Sequence, residues 1–393
     1  MTQARRLPLL TLSIAAAFLG AACGGSSSSV KAATEDELTA VAPTSASVDL
    51  EVGDATGMAD NVPTSSISAD ANVLAPGMDV CHPHLFARTA EVAWRLNAVF
   101  FRHLRHIERL IAKHPKLLAG DSATWSETGS GFEVQRQFVI TRSSDGLTYD
   151  FELDLAPAAQ APPVWVKVFS GSTTNATTST GSDQTGSLDF DYDALHSVIP
   201  DDRLTGQIAI AFERITDSSK PAPGKKKVTT VTFHGFSFGP NDPHGPRSGT
   251  FTHVGEPGVG GSLTFQDSLV LLCPANPTAQ VADAVTHARW YVTNGALHGR
   301  ADAKATGGQI PSGDTWLGVT CYQGTHGVRP LATAENGYWA MKLEDGSGAT
   351  VTGSARHAGS EQSCDSAFGA VPSLTDNQTD YDFTAAVTFP NEW

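Results

Sequence analysis

Basic residues, sulfur and long apolar runs are all scarce in this chain of 393 residues. Lysine and arginine total 26 against 41 acids, a formal charge of −15. That excess is repelled by phosphate backbones and anionic headgroups, which excludes nucleic acid as a partner. The five cysteines include no C-x-x-C pair, which argues against zinc held by thiolates. No apolar run reaches the roughly 20 residues of a membrane-spanning helix. There is no G-x-S-x-G turn, and no P-loop or G-x-G-x-x-G follows a strand, so neither a nucleophile elbow nor a phosphate cradle is encoded. "GEPGVGG" lacks the lysine and the strand-to-helix setting and reads as a loop.

What is present begins with a leader. Arg5 and Arg6 precede an almost wholly apolar Leu7–Leu19, and Gly20, Ala21 and Ala22 suit a small-residue cleavage pocket. This is an export signal over residues 1–22. Cys23 then stands directly before "GGSSSS". That arrangement resembles the lipobox of bacterial lipoproteins, with Gly20 where the family usually has leucine and Leu19 one place further back. The resemblance implies diacylglyceryl transfer to the Cys23 thiol, cleavage before it and acylation of the new amino terminus. Several acyl chains anchor far better than one, at about 0.8 kcal/mol per buried CH2. Gly24 is not the aspartate that retains enteric lipoproteins at the inner membrane, which points to an outer-membrane anchor.

Residues 23–80 carry nine acids against Lys31 and few aromatics. They read as a disordered acidic tether, unable to bury enough apolar area to offset ordering entropy. Some 57 flexible residues would span about 40 Å.

Two folded regions are expected, 81–272 and 273–393, with the second continuing the first or forming a separate β unit. Four cysteines remain: Cys81, Cys273, Cys321 and Cys364. An exported chain meets an oxidising compartment, so an even count reads as two disulfides. Of the three connectivities, nearness in the chain favours Cys81 with Cys273 and Cys321 with Cys364.

Apolar residues recur at spacings of three and four from Val92 to Ile111, within a helix predicted over Leu85–Leu117 and ended by His114-Pro115. From Trp125 the period becomes two. In "GLTYDFELDL", Leu147, Tyr149, Phe151, Leu153 and Leu155 alternate with polar residues, as in a half-buried antiparallel strand. Similar runs recur to the C-terminus, "GSLDFDYDAL" among them, with Asn294-Gly295 as a type I′ hairpin signal. Pro277–Val285 reads as a short turn. The fold class is mainly β (α+β): one long amphipathic helix on a curved antiparallel sheet of ten or more strands, as a half-barrel or as two β units. The signal, the tether, the helix before Trp125, "GSLDFDYDAL" and "GRADA" together resemble uncharacterised lipoproteins of predatory or soil-type proteobacteria. That resemblance covers most of the mature chain and implies no known activity. A bent sheet cupping a helix is also analogous to periplasmic lipid carriers, at the level of fold.

Three sets of residues are candidates for chemistry. Asp189, Asp191 and Asp193 would share one face of a strand, and Asp150, Glu152 and Asp154 repeat the ladder. Close like charges repel, so bound calcium would explain them, against a solvated face neutralised by Lys167. The EF-hand pattern fails at Ala194 and Pro200. His234, Asp242, His244 and His253 would hold zinc or iron if their loops converge, against surface histidines. His103 and His106 share a helix face, as would His82 and His84, against the polar flank of an amphipathic helix.

The expected function is a non-catalytic, lipid-anchored protein of the bacterial cell envelope, with no catalytic residue and no cofactor beyond the calcium or zinc just weighed. Its partners would be the membrane, through the anchor, and an envelope protein or apolar ligand bound by the β domain. The alternatives are a metal-dependent hydrolase using the loop around 234–253 and a structural envelope protein.

Overall fold

The computed structural model describes residues 32–50, 52, 85–128, 134–158, 160–178, 181–200, 203–217, 224–237, 239, 246–256, 258–273, 276–307, 310–325, 337–352, 354–360, 364–365 and 368. Cys23, Cys81, His82, His84, Asp242, His244 and the leader lie outside them.

The fold is mainly β and antiparallel. Three helices come first: α1 (Glu35–Ala40), α2 (Ser45–Val48) and α3 (Leu85–Ile111). The strands are β1 (Leu117–Ala119), β2 (Ser122–Glu127), β3 (Val134–Arg142), β4 (Thr148–Pro157), β5 (Val166–Thr178) and β6 (Gly181–Asp191). After α4 (Tyr192–Val198) come β7 (Thr205–Asp217), β8 (Gly224–Ser237), β9 (Arg247–Glu256), β10 (Gly260–Cys273) and β11 (Asn276–Thr293). The last are β12 (Ala296–Thr306), β13 (Thr315–Thr325), β14 (Trp339–Glu344) and β15 (Arg356–Ala358).

Each strand pairs with the next in sequence, in one sheet ordered β1 to β15. Among the described residues β1 and β15 do not pair, so the sheet is unclosed. It also runs unbroken through Cys273, because β10 pairs with β11 from Gly260↔Tyr291 to Cys273↔Asn276. Pro277–Val285, expected as a turn, is therefore strand. Asn294 and Gly295, at φ 50° and 76°, form the β11–β12 turn; positive φ at both positions is what a type I′ turn requires.

Alternation sorts the sheet into two faces. The inner face carries Phe138, Phe151, Phe169, Phe190, Ile210, Phe233, Phe251, Phe265, Trp290 and Leu297, all buried in one core. α3 joins that core through Phe86, Phe100, Leu104 and Ile107. The Phe86 ring stacks on Tyr322 of β13 at 5.3 Å and meets Trp290 of β11 edge-on at 6.4 Å. The Phe100 ring lies 6.1 Å from Phe190 of β6. The opposite face of β13 and β14 has a small core of its own: Leu317, Val319, Cys321, Tyr338, Ala340 and Cys364.

Residues 32–50, expected as part of a disordered tether, are folded. Leu38, Val41, Ala42, Val48, Leu50 and Val52 are buried in the main core. Thr34 caps α1, its hydroxyl accepting from Glu37 N at 3.2 Å. This strap is then tied down at successive points. Ser45 donates to Glu108 of α3 through its backbone N at 2.8 Å and its hydroxyl at 2.7 Å. Leu50 N donates to Asn97 Oδ1 at 2.8 Å, and Lys227 of β8 donates to the carbonyl of Asp49. Composition concealed the strap, because a few apolar residues among many Ser, Thr, Ala and Asp suffice when a core is ready to receive them.

Candidate functional site

The aspartate ladder of "LDFDYD" does not form. The strand ends at Asp191 and α4 begins at Tyr192, so Asp193 leaves the strand face. Asp191 is the helix N-cap, its Oδ1 accepting from Ala194 N at 2.8 Å, and its Oδ2 accepts from Gln207 Nε2 at 3.0 Å. Asp193 accepts from Gly206 N at 2.8 Å. Asp189 stays exposed on β6. Each carboxylate is thus used or solvated separately. The neighbouring ladder is balanced by Lys167, whose Nζ lies 2.7 Å from Glu152. Burial, and then the Glu152 charge, push the Asp154 carboxyl up to about 6.

The histidines do not converge either, where they are described. His234 is exposed near one end of β8, whereas His253 on β9 is buried and pairs in register with Thr229. Five strand residues separate the two levels, about 16 Å. The His253 ring packs 5.9 Å from Trp290. His103 is wedged between aromatic rings, 6.0 Å from Phe190 and 5.3 Å from Tyr192. Its Nε2 is buried with no hydrogen-bond partner among the described residues. Burial, followed by the Arg102 and His106 charges, lowers its pKa to about 3, which favours the neutral form of this half-buried ring. Its helix neighbour His106 is exposed. Among the described residues no group of three His, Cys, Asp or Glu side chains is placed to hold a metal.

The densest polar assembly lies instead on the outer face of β11 and β12. Arg300 donates to Asp302 from Nε to Oδ2 at 2.9 Å and from Nη2 to Oδ1 at 2.8 Å. Arg289, opposite Arg300 in register, donates from Nη2 to Asp302 Oδ2 at 3.1 Å. All three side chains are buried. Alongside, the Tyr291 and His298 rings stack at 4.9 Å, and Tyr291 also meets Phe368 at 5.3 Å. The Tyr291 hydroxyl donates to Asp365, which lies 3.5 Å from His298 Nδ1. Burial, and then that hydrogen bond, raise the Tyr291 pKa, so the phenol keeps its proton.

Cys364 forms a disulfide with Cys321 of β13, with Cα atoms 5.3 Å apart. Disulfide, Asp365 and Phe368 together make a clasp over this face, and Arg300 Nη1 donates to the Phe368 carbonyl at 3.4 Å. The other expected bridge, Cys81 with Cys273, lies outside the described residues because Cys81 does.

A second cluster ties the strap to the sheet. Arg142 on β3 donates to Glu37 Oε1 from Nη1 at 2.8 Å and to Asp121 Oδ1 from Nε at 3.0 Å. The Tyr149 hydroxyl donates to the same Glu37 oxygen at 2.7 Å. Those bonds, Tyr149 first, hold the Glu37 carboxyl below its ordinary range.

Chemically, both clusters are ion pairs and hydrogen bonds between neighbouring side chains. No activated nucleophile or poised base stands among them, so their effect is to fix the clasp and the strap. Sequence reasoning missed them, although "GRADA" holds a signal. Arg300 and Asp302 sit at i and i+2 in a strand whose intervening residues are small and apolar, so two charges share one face. No family model, no curated protein and no solved structure matches this chain.

Proposed function

We propose that this chain is an exported lipoprotein of the bacterial cell envelope, anchored through acylated Cys23, whose β body binds an envelope partner at its surface without catalysis. The observation that carries the reading is the Cys321–Cys364 disulfide, a bond that persists in oxidising compartments outside the cytosol. The leader and the lipobox-like cysteine supply the matching route.

The sheet is read as an open half-barrel around α3. Phe86, Phe100, Leu104 and Ile107 fill its inner face, which supports a surface partner over an enclosed apolar ligand. Outer-membrane attachment rests on Gly24.

The test is the mass of the amino-terminal peptide from protein purified out of native membranes, beside fractionation of Cys23→Ala. The expected results are a peptide starting at residue 23 with acyl mass, and release of the variant from the membrane fraction. An unacylated start at another residue overturns the proposal.

A further inference from the structure

The described body begins much closer to Cys23 than a tether over 23–80 would place it. Nine peptide steps separate Cys23 from Ala32, whose neighbour Ala33 already donates to Asp121 Oδ1 at 3.3 Å. Fully extended, nine residues reach at most about 32 Å. An anchor at Cys23 therefore keeps the end of the sheet that receives the strap close to the bilayer.

That end carries an unusual surface. β1 is an edge strand with every residue exposed. Leu117 is 58% exposed and Leu118 47%, and Leu147 of the β3–β4 turn, at the same end of the sheet but three strands away, is 52% exposed. The two turns are joined by Arg142 N donating to the Asp121 carbonyl at 2.7 Å. Three of the five large exposed apolar residues among those described thus lie at this end. The flank holds cations: Lys113 and Lys116 are exposed, and the stretch 112–120 contains no acid. Three of the acids around it are paired, while Asp36 of α1 and Asp145 of the β3–β4 turn are exposed. Glu127 meets Lys113 and Arg136, Glu35 meets His114 at 2.8 Å, and Asp121 meets Arg142. The tip is also firmly held, because Lys116 N donates to the Thr124 carbonyl and Trp125 Nε1 to the Lys113 carbonyl, both at 2.8 Å.

Resting on the anchored reading above, we infer that the tip Lys113–Gly120 is a membrane-contact element. It lays Leu117 and Leu118 into the interfacial region of the anchoring bilayer, with Lys116 directed at headgroup phosphates and Lys113 held beside it by Glu127. Leucines lose their exposed apolar area there, and lysine stems can lie along the interface with their ammonium groups in water. The acyl chains supply affinity; the tip supplies a second contact that fixes which end of the body faces the lipid.

The experiment uses full-length acylated protein bound to vesicles of phosphatidylethanolamine and phosphatidylglycerol, wild type beside the double variant Leu117→Ser, Leu118→Ser. Both leucines are exposed, so the variant should keep its fold, which is checked by its Cys321–Cys364 disulfide and its circular dichroism. Hydrogen exchange is read at 113–121, with the strap 33–42 as internal reference. The expected result is exchange at the tip at least about fivefold slower in wild type than in the variant, with the strap unchanged. Equal exchange in two acylated, vesicle-bound proteins overturns the contact and leaves the anchor standing. Absence of acylation at Cys23 overturns the anchor first. Tip protection that accompanies a dimer mass assigns the leucines to a second copy of this chain, which also overturns the inference.

Discussion

The ring of Phe86 occupies the space where residue 299 would carry a side chain. A Cβ placed on Gly299 would meet two of the ring carbons at 2.4 Å. Glycine is therefore required on β12 by the first turn of α3, more than 200 residues earlier. Gly299→Ala should destabilise the protein by about 1–3 kcal/mol through forced repacking, read as a lower urea midpoint. Phe86→Leu, which shortens the opposing side chain, should relieve part of that loss in the double variant.

Asp302 holds Arg289 and Arg300 together in a buried site. Asp302→Asn leaves two guanidinium groups without that carboxylate, and a loss of about 3–5 kcal/mol is expected in chemical denaturation. Asp189→Asn, at an exposed carboxylate, should stay within about 0.5 kcal/mol.

His103, half-buried on α3, makes the stability of the protein sensitive to acid. Its folded pKa, about 3, lies below its ordinary 6.5. Between those values the unfolded chain binds a proton that the folded chain refuses, so stability falls as pH drops from about 6.5 toward 3. His103→Leu should flatten this part of the stability–pH curve, measured as unfolding midpoints from pH 7 to 4. An unchanged slope would contradict the assignment.

Glu37 works in the opposite chemical sense with the same outcome in acid. Its lowered pKa means that its contribution is present above the ordinary carboxylate range and lost as pH falls through the folded value. Glu37 is partly exposed, so Glu37→Gln should cost no more than about 1 kcal/mol. The effect should be local: faster hydrogen exchange in 33–50 at pH 7, with little change in the sheet.

The Cys321–Cys364 bridge closes a separation of 43 residues. Chain-entropy reasoning assigns it about 4 kcal/mol. Cys364→Ser should lower the urea midpoint accordingly and speed exchange around Tyr291 and Arg300, while the inner face of β3–β7 keeps its protection.

Much of the sheet is legible in the order of residues, and particular strands show why. On β4, Tyr149, Phe151, Leu153 and Leu155 are buried while Asp150 is exposed, as alternation requires. Leu147 breaks that pattern because it belongs to the turn, and 52% of it is exposed. "LDFDYD" misleads for a similar reason: period two continues through Asp193, yet Asp191 caps a helix and rotates the following side chains. Beyond the Arg300 and Asp302 pair within "GRADA", the clusters were out of reach of any local pattern. Arg142 gathers Glu37 and Asp121 from 105 and 21 residues away. Asp365 finds Tyr291 across 74 residues. Only folding brings such groups together, and spacing in the chain carries no trace of it.

The strictly sequential order of the sheet has a consequence for assembly. A strand emerging during synthesis needs only its immediate predecessor to pair with, so the meander can grow as the polypeptide arrives. α3 is different. It is made before every strand, yet Phe86 N donates to Thr320 Oγ1 at 3.1 Å, 234 residues downstream. The greasy face of the helix must wait for β11–β13 before that end is covered. Until then this segment is where a chaperone would have to hold the nascent protein.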